Sequence, residues 1–278
     1  MYIVENEQKT LKSRSGYIIK TMVMNKTQEK NFPVNGRIIA VWGSSNSGKT
    51  TFAVNLACAF SARDRLVGLV SSNLTYGDLQ IFFGQSVPLQ KGLFQALNED
   101  NPNIGEKFTE YREIKNLFFL SAPTHYTGLL CDAVTLREAE RMMNAASLVF
   151  DILIVDGAAE VTNPVSGVGL WLAERIYALH KPSITAQMWH EGVSDFVREL
   201  HIADKQTHIL HLPNGEFDDK TYRSMTGLSF AYELPYIKRA GELENAGTPI
   251  YFFQDRTCKR YGKVLEQIAK GICGGEAS

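Results

Sequence analysis

The residues with the clearest chemical purpose form a loop between an apolar run and an alanine-rich segment. The loop reads Gly43-Ser44-Ser45-Asn46-Ser47-Gly48-Lys49-Thr50 and fits the pattern G-x-x-x-x-G-K-[ST]. Its glycines let backbone N–H groups face an anion, and the following helix directs its positive end at the same point. Lys49 supplies a cation for the β and γ phosphates, and the Thr50 hydroxyl suits Mg²⁺. We therefore predict that these eight residues and Thr51 hold a nucleoside polyphosphate with magnesium.

The alternative is a glycine-rich loop that only turns a strand into a helix. The pattern arises by chance in roughly 1% of chains of this length. Phosphate binding is therefore the favoured interpretation.

A carboxylate stands at the end of a second apolar run. Asp156 follows Asp151-Ile152-Leu153-Ile154-Val155 and precedes Gly157. An aspartate there can hold a Mg²⁺-bound water, and we expect Gly157 to leave its backbone N–H free to sense a γ-phosphate. The alternative is an aspartate that caps the next turn. The metal-ligand prediction is Thr50 with Asp156.

A third group follows the apolar run that ends at Val70. Hydroxyls and an amide come first, in Ser71-Ser72-Asn73, and Asp78 is the nearest carboxylate. A nucleotide hydrolase needs a group here to orient the attacking water or help hold the metal. The predicted catalytic residues are Lys49, Asp156 and Asp78.

Apolar runs of strand length alternate with segments of helical periodicity. Strands are predicted at 38–42, 66–70, 116–120, 151–155, 176–179 and 208–212, and helices at 51–62, 91–99, 136–147, before Glu174, at 184–200, ending at 243–246, and at 258–272. This alternation predicts an α/β fold with a doubly wound, mostly parallel sheet, helices on both faces and ligands at the carboxyl ends of the strands.

Composition limits the classes of function. With 278 residues and 44% hydrophobic content, one large domain is expected over 36–278, preceded by an extension over 1–35 whose boundary lies at Asn31-Phe32-Pro33. A net charge of −1 gives no general attraction to nucleic acid or anionic lipid. The scattered cysteines and the absence of a signal-peptide pattern predict a reducing, cytoplasmic location.

Taken together, these residues resemble the MinD/ParA group of P-loop ATPases. The loop, Asp156, the run Tyr76-Gly77-Asp78-Leu79-Gln80 and the late segment from Leu234-Pro235-Tyr236 to Gly247-Thr248-Pro249 carry the likeness. Within that group the chain looks most like the CpaE/TadZ pilus-assembly proteins, over about residues 36–270. The resemblance implies Mg-ATP binding, a homodimer with nucleotide at its interface, and work with a Tad/Flp-type pilus or related secretion system, with possible recruitment to the inner face of the membrane.

The chain departs from that family at three positions. Ser44 stands where the family has a lysine that reaches the partner's phosphates, and Ser71 and Asn73 stand where it has two aspartates. Losing a general base removes about 10²–10⁴-fold in rate, so we expect nucleotide binding with slow hydrolysis and weaker dimerisation. The alternatives are a hydrolysis-deficient scaffold and, less favoured, a small-molecule kinase using Arg137 and Arg141.

Three further features have structural alternatives. His211 occupies the family's adenine-contacting position, with Asn214 as the alternative, and either could be only a turn former. The final helix places Tyr261, Val264, Leu265, Ile268 and Ile272 on one face, which favours packing on the sheet over lying on a membrane. The remaining candidates for ligand contacts are read as structural or surface residues: His180, His190, His201, His208, Trp171 and Trp189.

Overall fold

In the computed structural model, which describes residues 36–98, 103–126, 133–212 and 218–274, eight strands form one sheet. The strands are β1 (Arg37–Gly43), β2 (Val67–Ser71), β3 (Thr109–Glu110), β4 (Leu117–Leu120), β5 (Ile152–Asp156), β6 (Arg175–His180), β7 (Gln206–His211) and β8 (Tyr232–Leu234). Their order is β3-β4-β2-β5-β1-β6-β7-β8. Only the short β3 runs antiparallel to its neighbour. The predicted α/β fold with a mostly parallel sheet is confirmed. The predicted extension and its boundary, Cys131 and Asn214 lie outside the described residues.

Helices cover both faces of the sheet, as the apolar runs of the strands require. They are α1 (Lys49–Ser61), α2 (Leu79–Phe83), α3 (Leu93–Asn98), α4 (Ile104–Lys107), α5 (Leu136–Ser147), α6 (Pro164–Leu172), α7 (Ile184–Glu199), α8 (Asp219–Thr226), α9 (Ala240–Asn245) and α10 (Arg256–Cys273). Helices α1, α2, α9 and α10 pack on one face, and α3, α5, α6 and α7 on the other. A search of the described helices finds none with the length and apolarity to cross a membrane.

Strand β1 lies at the centre of the sheet, between β5 and β6. Alternate side chains of a strand point to opposite faces, so Ile39 and Val41 enter one apolar core and Ile38, Ala40 and Trp42 the other. This burial on both sides explains the unbroken apolar run. The loop after β1 is thereby anchored in the middle of the molecule.

The last helix packs on the sheet, as predicted. Tyr261, Leu265 and Ile268 are buried in the same core as α1, and Val264 and Ile272 are partly buried against it. Each fully buried apolar side chain contributes about 1.5–3 kcal/mol. The apolar face of α10 is therefore occupied within the chain.

Candidate functional site

The loop between β1 and α1 has a backbone shape that depends on its glycines. A Cβ at Gly43 would lie 2.4 Å from the Leu179 carbonyl oxygen. Gly48 has φ 87 at the N-terminus of α1, and Asn46 has φ 59, a left-handed conformation that glycine and asparagine tolerate best. These conformations bring the loop around the start of α1.

The motif side chains meet at this loop. Lys49 Nζ donates to the Ser44 carbonyl oxygen at 2.8 Å, and Thr50 Oγ1 donates to Asp156 Oδ2 at 2.6 Å. Burial lowers the pKa of Lys49, while the nearby charges of Asp156 and Glu160 oppose this. The structure therefore brings together the lysine and both predicted metal ligands.

The oxygen atoms around Asp156 suit a hard cation. Asp156 Oδ1 is buried and has no hydrogen-bond partner among the described residues. Burial, with the charge of Asp78, raises the pKa of Asp156 to about 7, and Thr50 and Lys49 oppose the rise. Magnesium prefers oxygen ligands, and its charge would favour the ionised carboxylate. The residues present fit a Mg²⁺ site.

Asp78 also lies at the carboxyl ends of the strands, where it is held by hydrogen bonds that the sequence did not predict. Its Oδ1 accepts from Leu79 N at 2.8 Å and from Ser121 Oγ at 3.3 Å. Hydrogen bonds from Ser71 and Asn73 also favour its ionised form, although burial, the largest cause, raises its pKa. A carboxylate therefore lies against the two uncharged residues that replace the family's aspartates.

The loop, β2 and β5 together form a cleft of about 630 Å³, a volume typical of ligand sites. Its lining comprises Ser45, Asn46, Gly48, Lys49, Thr50, Thr51, residues 72–76, Asp78, residues 156–160 and Asn163. Among these lining residues, Lys49 is the only cationic side chain and faces three carboxylates, those of Asp78, Asp156 and Glu160. The cleft therefore needs an additional cation to accept a polyphosphate.

No protein-family model and no curated protein matches the chain. Solved structures do match. The septum site-determining protein MinD from Pyrococcus horikoshii, complexed with Mg-ADP, is 15% identical, with 85% of this chain and 96% of that one covered and a TM-score of 0.68. A ParA family ATPase from Chlorobium tepidum is 16% identical over 84% and 98%, with a TM-score of 0.71. The chain has the fold of the MinD and ParA ATPases. A McdA variant from Cyanothece in complex with ATP is 14% identical over 86% and 97%, with a TM-score of 0.63.

One expectation for this cleft is wrong. The backbone N–H of Gly157 is not free, because it donates to the Val41 carbonyl oxygen at 2.9 Å. This hydrogen bond belongs to the last pair of the parallel ladder between β5 and β1, in which Asp156 lies beside Val41. Gly157 instead permits close packing, since a Cβ there would lie 2.8 Å from the same oxygen.

Other predicted binding residues lie near the cleft in different ways. Thr51 lines it and hydrogen-bonds through its hydroxyl to the Glu244 carboxylate of α9. The His211 ring lies behind the loop, with Nδ1 3.4 Å from the Ser47 carbonyl oxygen, and burial lowers its pKa. A Cβ at Gly48 would lie 3.1 Å from that nitrogen. Contact of His211 with adenine stays a prediction.

Two residues of the cleft were missed by sequence reasoning. The negative charge of Glu160 acts on Lys49 and raises the pKa of that lysine. Asn163 Nδ2 donates to the Ser72 carbonyl oxygen at 2.8 Å, which connects the loops after β2 and β5. Their one sequence signal was position, since both follow Asp156 by a few residues at the carboxyl end of a parallel strand.

The kinase candidates do not line the cleft. Arg141 Nη2 donates to the Leu97 carbonyl oxygen at 2.5 Å, which fixes α5 against α3. Arg137 is exposed on α5. Neither arginine is among the described residues of the cleft, so the structure gives no support to a lid built on this pair.

The histidines of β6 and β7 pack among aromatic rings. His180 Nδ1 lies 2.9 Å from the Tyr222 hydroxyl, and its Nε2 lies 3.0 Å from His208 Nδ1. Trp189 donates to the Ala159 carbonyl oxygen at 3.1 Å and contacts Trp42 edge-on at 4.8 Å. In the described ranges no group of three or more histidine, cysteine, aspartate or glutamate side chains is arranged to hold a metal.

Proposed function

We propose that this chain binds Mg-ATP and hydrolyses it slowly, as a MinD/ParA-type ATPase. The observation that carries the proposal is the 2.6 Å contact of Thr50 Oγ1 with Asp156 Oδ2 beside the curled loop. The buried Asp156 Oδ1, which has no partner among the described residues, supports it. Solved structures of the same fold include one complex with Mg-ADP and one with ATP.

The residues of the cleft have separate roles in binding and hydrolysing Mg-ATP. The backbone N–H groups before α1 bind the phosphates, and Lys49 exchanges the Ser44 carbonyl oxygen for a phosphate oxygen. Thr50 and Asp156 would hold magnesium, which when bound neutralises phosphate charge. Asp78 is the carboxylate that orients the attacking water and accepts its proton. Because Ser71 and Asn73 carry no charge, turnover is slow.

The cellular role that we propose is assembly or localisation of a Tad/Flp-type pilus or a related secretion system. The run Tyr76-Gly77-Asp78-Leu79-Gln80, with its Gly-Asp dipeptide after β2, supports a CpaE/TadZ-like protein. Its proposed partners are ATP, a second copy of the chain and proteins of that machinery, which recruit it from the cytoplasm to the inner face of the membrane.

A localisation experiment tests this role. A fluorescent fusion in the source cell is expected to form foci at sites of pilus or secretion-system assembly, and the foci should disperse when the system's membrane proteins are deleted. Foci that persist unchanged in the deletion strain would contradict the role without bearing on nucleotide binding.

A hydrolysis-deficient scaffold is the second candidate. It is favoured by the hydrogen bonds that already engage Asp78, from Leu79 N and Ser121 Oγ to the same oxygen. Both candidates require nucleotide binding, and only turnover separates them. Slow but measurable phosphate release supports the ATPase, and no release under any condition supports the scaffold.

The binding step has a direct test. Ligand that binds only the folded state raises its apparent stability, so Mg-ATP should raise the melting temperature of the wild type and not that of Lys49→Ala. Lys115→Ala, an exposed lysine outside the cleft lining, is the matched control. Equal stabilisation of wild type and Lys49→Ala by Mg-ATP would overturn the assignment of the loop.

A further inference from the structure

A second cleft lies at the amino ends of β1, β6 and β7, whereas the phosphate loop follows the carboxyl end of β1. We call it the lower cleft. It has a volume of about 400 Å³, within the range of small-molecule sites. Its lining includes Arg37, Arg175, Tyr177, Thr207 and Tyr232, and the end of α10 forms one wall.

The polar side chains of the lower cleft stand on one face of the sheet. Side chains two residues apart on a strand share a face, which places Arg175 with Tyr177 on β6. The parallel register sets Arg175 beside Ile39 and Tyr177 beside Thr207. Arginine, tyrosine and threonine side chains are therefore brought together by the pairing of the strands.

Several of these groups have unused hydrogen-bonding capacity. Among the described residues, no hydrogen bond or ion pair engages the Arg175 guanidinium or the hydroxyls of Tyr177, Thr207 and Tyr232. Tyr177 is only 4% exposed; burial is the largest cause that raises its pKa, and nearby Tyr232 and Arg175 influence it in opposite directions. The Tyr177 hydroxyl oxygen is not among the described side-chain atoms that are buried without a partner, so it is open to the cleft and can bond to a ligand there.

The charges and walls of the lower cleft define the ligand. Arg37 donates to the Ile272 carbonyl oxygen at 2.7 Å and adds positive charge. Arg175 is the arginine of the lining that no described residue engages, and its charge favours an anionic ligand. A guanidinium binds a carboxylate through two parallel hydrogen bonds, and the isoleucines of the lining offer an apolar wall.

We propose that the lower cleft binds a small organic carboxylate with an apolar body. The carboxylate lies on Arg175 and the Tyr177 hydroxyl, and the apolar body packs on Ile268 and Ile272. The site is separate from the phosphate loop. Its occupancy is measured without nucleotide, so the proposal stands or falls independently of the proposed function.

Titration calorimetry of the full chain with 4-methylpentanoate tests the proposal. We expect saturable one-to-one binding that weakens about tenfold to a hundredfold in Arg175→Gln, because hydrogen bonds to charged groups are lost. Tyr177→Phe should weaken it less and keeps the ring that packs on Phe52 at 5.7 Å. Arg198→Gln, an exposed arginine paired with Asp195, should bind as the wild type does.

Two further probes decide the chemistry of the ligand. The neutral isostere 4-methylpentan-1-ol should bind at least tenfold more weakly, because it cannot accept both guanidinium hydrogen bonds. Inorganic phosphate should also bind more weakly, because it has no apolar body. The proposal is overturned if the wild type shows no saturable binding, if Arg175→Gln binds equally well, or if the alcohol or phosphate binds as tightly as the carboxylate.

Discussion

Asp156 is subject to two opposing demands. Its proposed role requires an ionised carboxylate, yet burial and the neighbouring Asp78 raise its pKa to about 7. Without a cation, ionisation of this group therefore costs folding free energy. Sites that hold charge for function commonly carry such a cost.

The first prediction concerns Asp156→Asn without ligand. The raised pKa means that the folded state binds more protons than the unfolded state between about pH 4 and pH 7. Wild-type stability therefore falls as the pH rises through this window, and the variant escapes that loss. Urea unfolding should show the advantage of Asp156→Asn growing by on the order of 2 kcal/mol from pH 5 to pH 8, while Mg-ATP no longer stabilises it. An advantage equal at both pH values would contradict the assigned burial cost.

The second prediction concerns Asp78. Asparagine keeps an oxygen that accepts from Leu79 N and Ser121 Oγ but is not a base. Asp78→Asn should therefore bind Mg-ATP within about threefold of wild type and release phosphate about 10²-fold more slowly in a single-turnover assay.

A gain-of-function variant serves as the counterpart. Asn73 Oδ1 accepts from Thr75 N at 2.9 Å and Tyr76 N at 3.2 Å, contacts that aspartate retains. Asn73→Asp should therefore speed phosphate release by restoring a carboxylate near the cleft. Unchanged rates of phosphate release in both variants would show that neither Asp78 nor this loop takes part in hydrolysis.

At the residue level, the sequence predicted which side chains lie together where short stretches of chain determine their positions. Lys49 and Thr50 stand at fixed places in one motif, and Asp156 ends an apolar run, so their positions followed from short stretches. The place of Asp78 depends on Ser121, which is 43 residues away. The hydrogen bond of Gly157 depends on a neighbouring strand. Neither tertiary contact leaves a mark in the local sequence.

Among the elements, the long ones were predicted, but several of the short ones were not. Helix α5 occupies the predicted residues because its periodicity is reinforced by a capping box between Thr135 and Glu138. The short α2, α4, α8, β3 and β8 were missed because a few residues carry no detectable period. β8 pairs over three positions with β7, so its existence depends on the sheet edge that it joins.

The third prediction concerns the connection between α1 and the segment before α10. Asn55 on α1 is 1% exposed; its Oδ1 accepts from Tyr251 N at 2.7 Å and its Nδ2 donates to the Thr51 carbonyl oxygen at 2.7 Å. Asn55→Ala leaves the Tyr251 N–H without this acceptor. Urea unfolding should show a loss of about 1–3 kcal/mol.

Ser194→Ala provides the control for Asn55. Ser194 is an exposed residue of α7 whose hydroxyl bonds only to the preceding turn of its own helix. This variant should change stability by less than about 0.5 kcal/mol. If Asn55→Ala behaves like Ser194→Ala, the side chain does not anchor the segment.

The fourth prediction concerns the histidines that join β6, β7 and α8. Burial lowers the pKa of His180 to about 3 and that of His208 to about 4. The unfolded chain binds protons below about pH 6.5 and the folded chain does not, so stability falls as the pH falls from about 7 to about 4. His180→Asn should be less stable at pH 7 and lose less stability on acidification. A variant with the wild-type pH slope would show that His180 does not drive acid unfolding.

At the scale of the whole molecule, the composition of the cleft bears on whether two copies of the chain dimerise there. In the family that the chain resembles, a lysine at the position of Ser44 reaches the partner's phosphates. Ser44 is 3% exposed, and its carbonyl oxygen accepts from Lys49. Lys49 is the only cationic side chain of the described cleft lining, and it already faces three carboxylates of its own chain. The same lining in a second copy therefore supplies no further cation for the phosphates bound by the first. The wild type should therefore dimerise weakly with Mg-ATP.

The fifth prediction is that Ser44→Lys strengthens dimerisation with Mg-ATP. A symmetric dimer gains two lysines, each adding a charged hydrogen bond of about 1.5–3 kcal/mol, which amounts to about 10²–10⁴-fold in the dimerisation constant. Sedimentation velocity with and without Mg-ATP measures this. Ser45→Lys, which places the same charge on the exposed neighbouring residue, is the control and should behave as the wild type. A wild type fully dimeric at micromolar concentration, or equal dimerisation of the two lysine variants, would show that the position of the charge does not decide assembly.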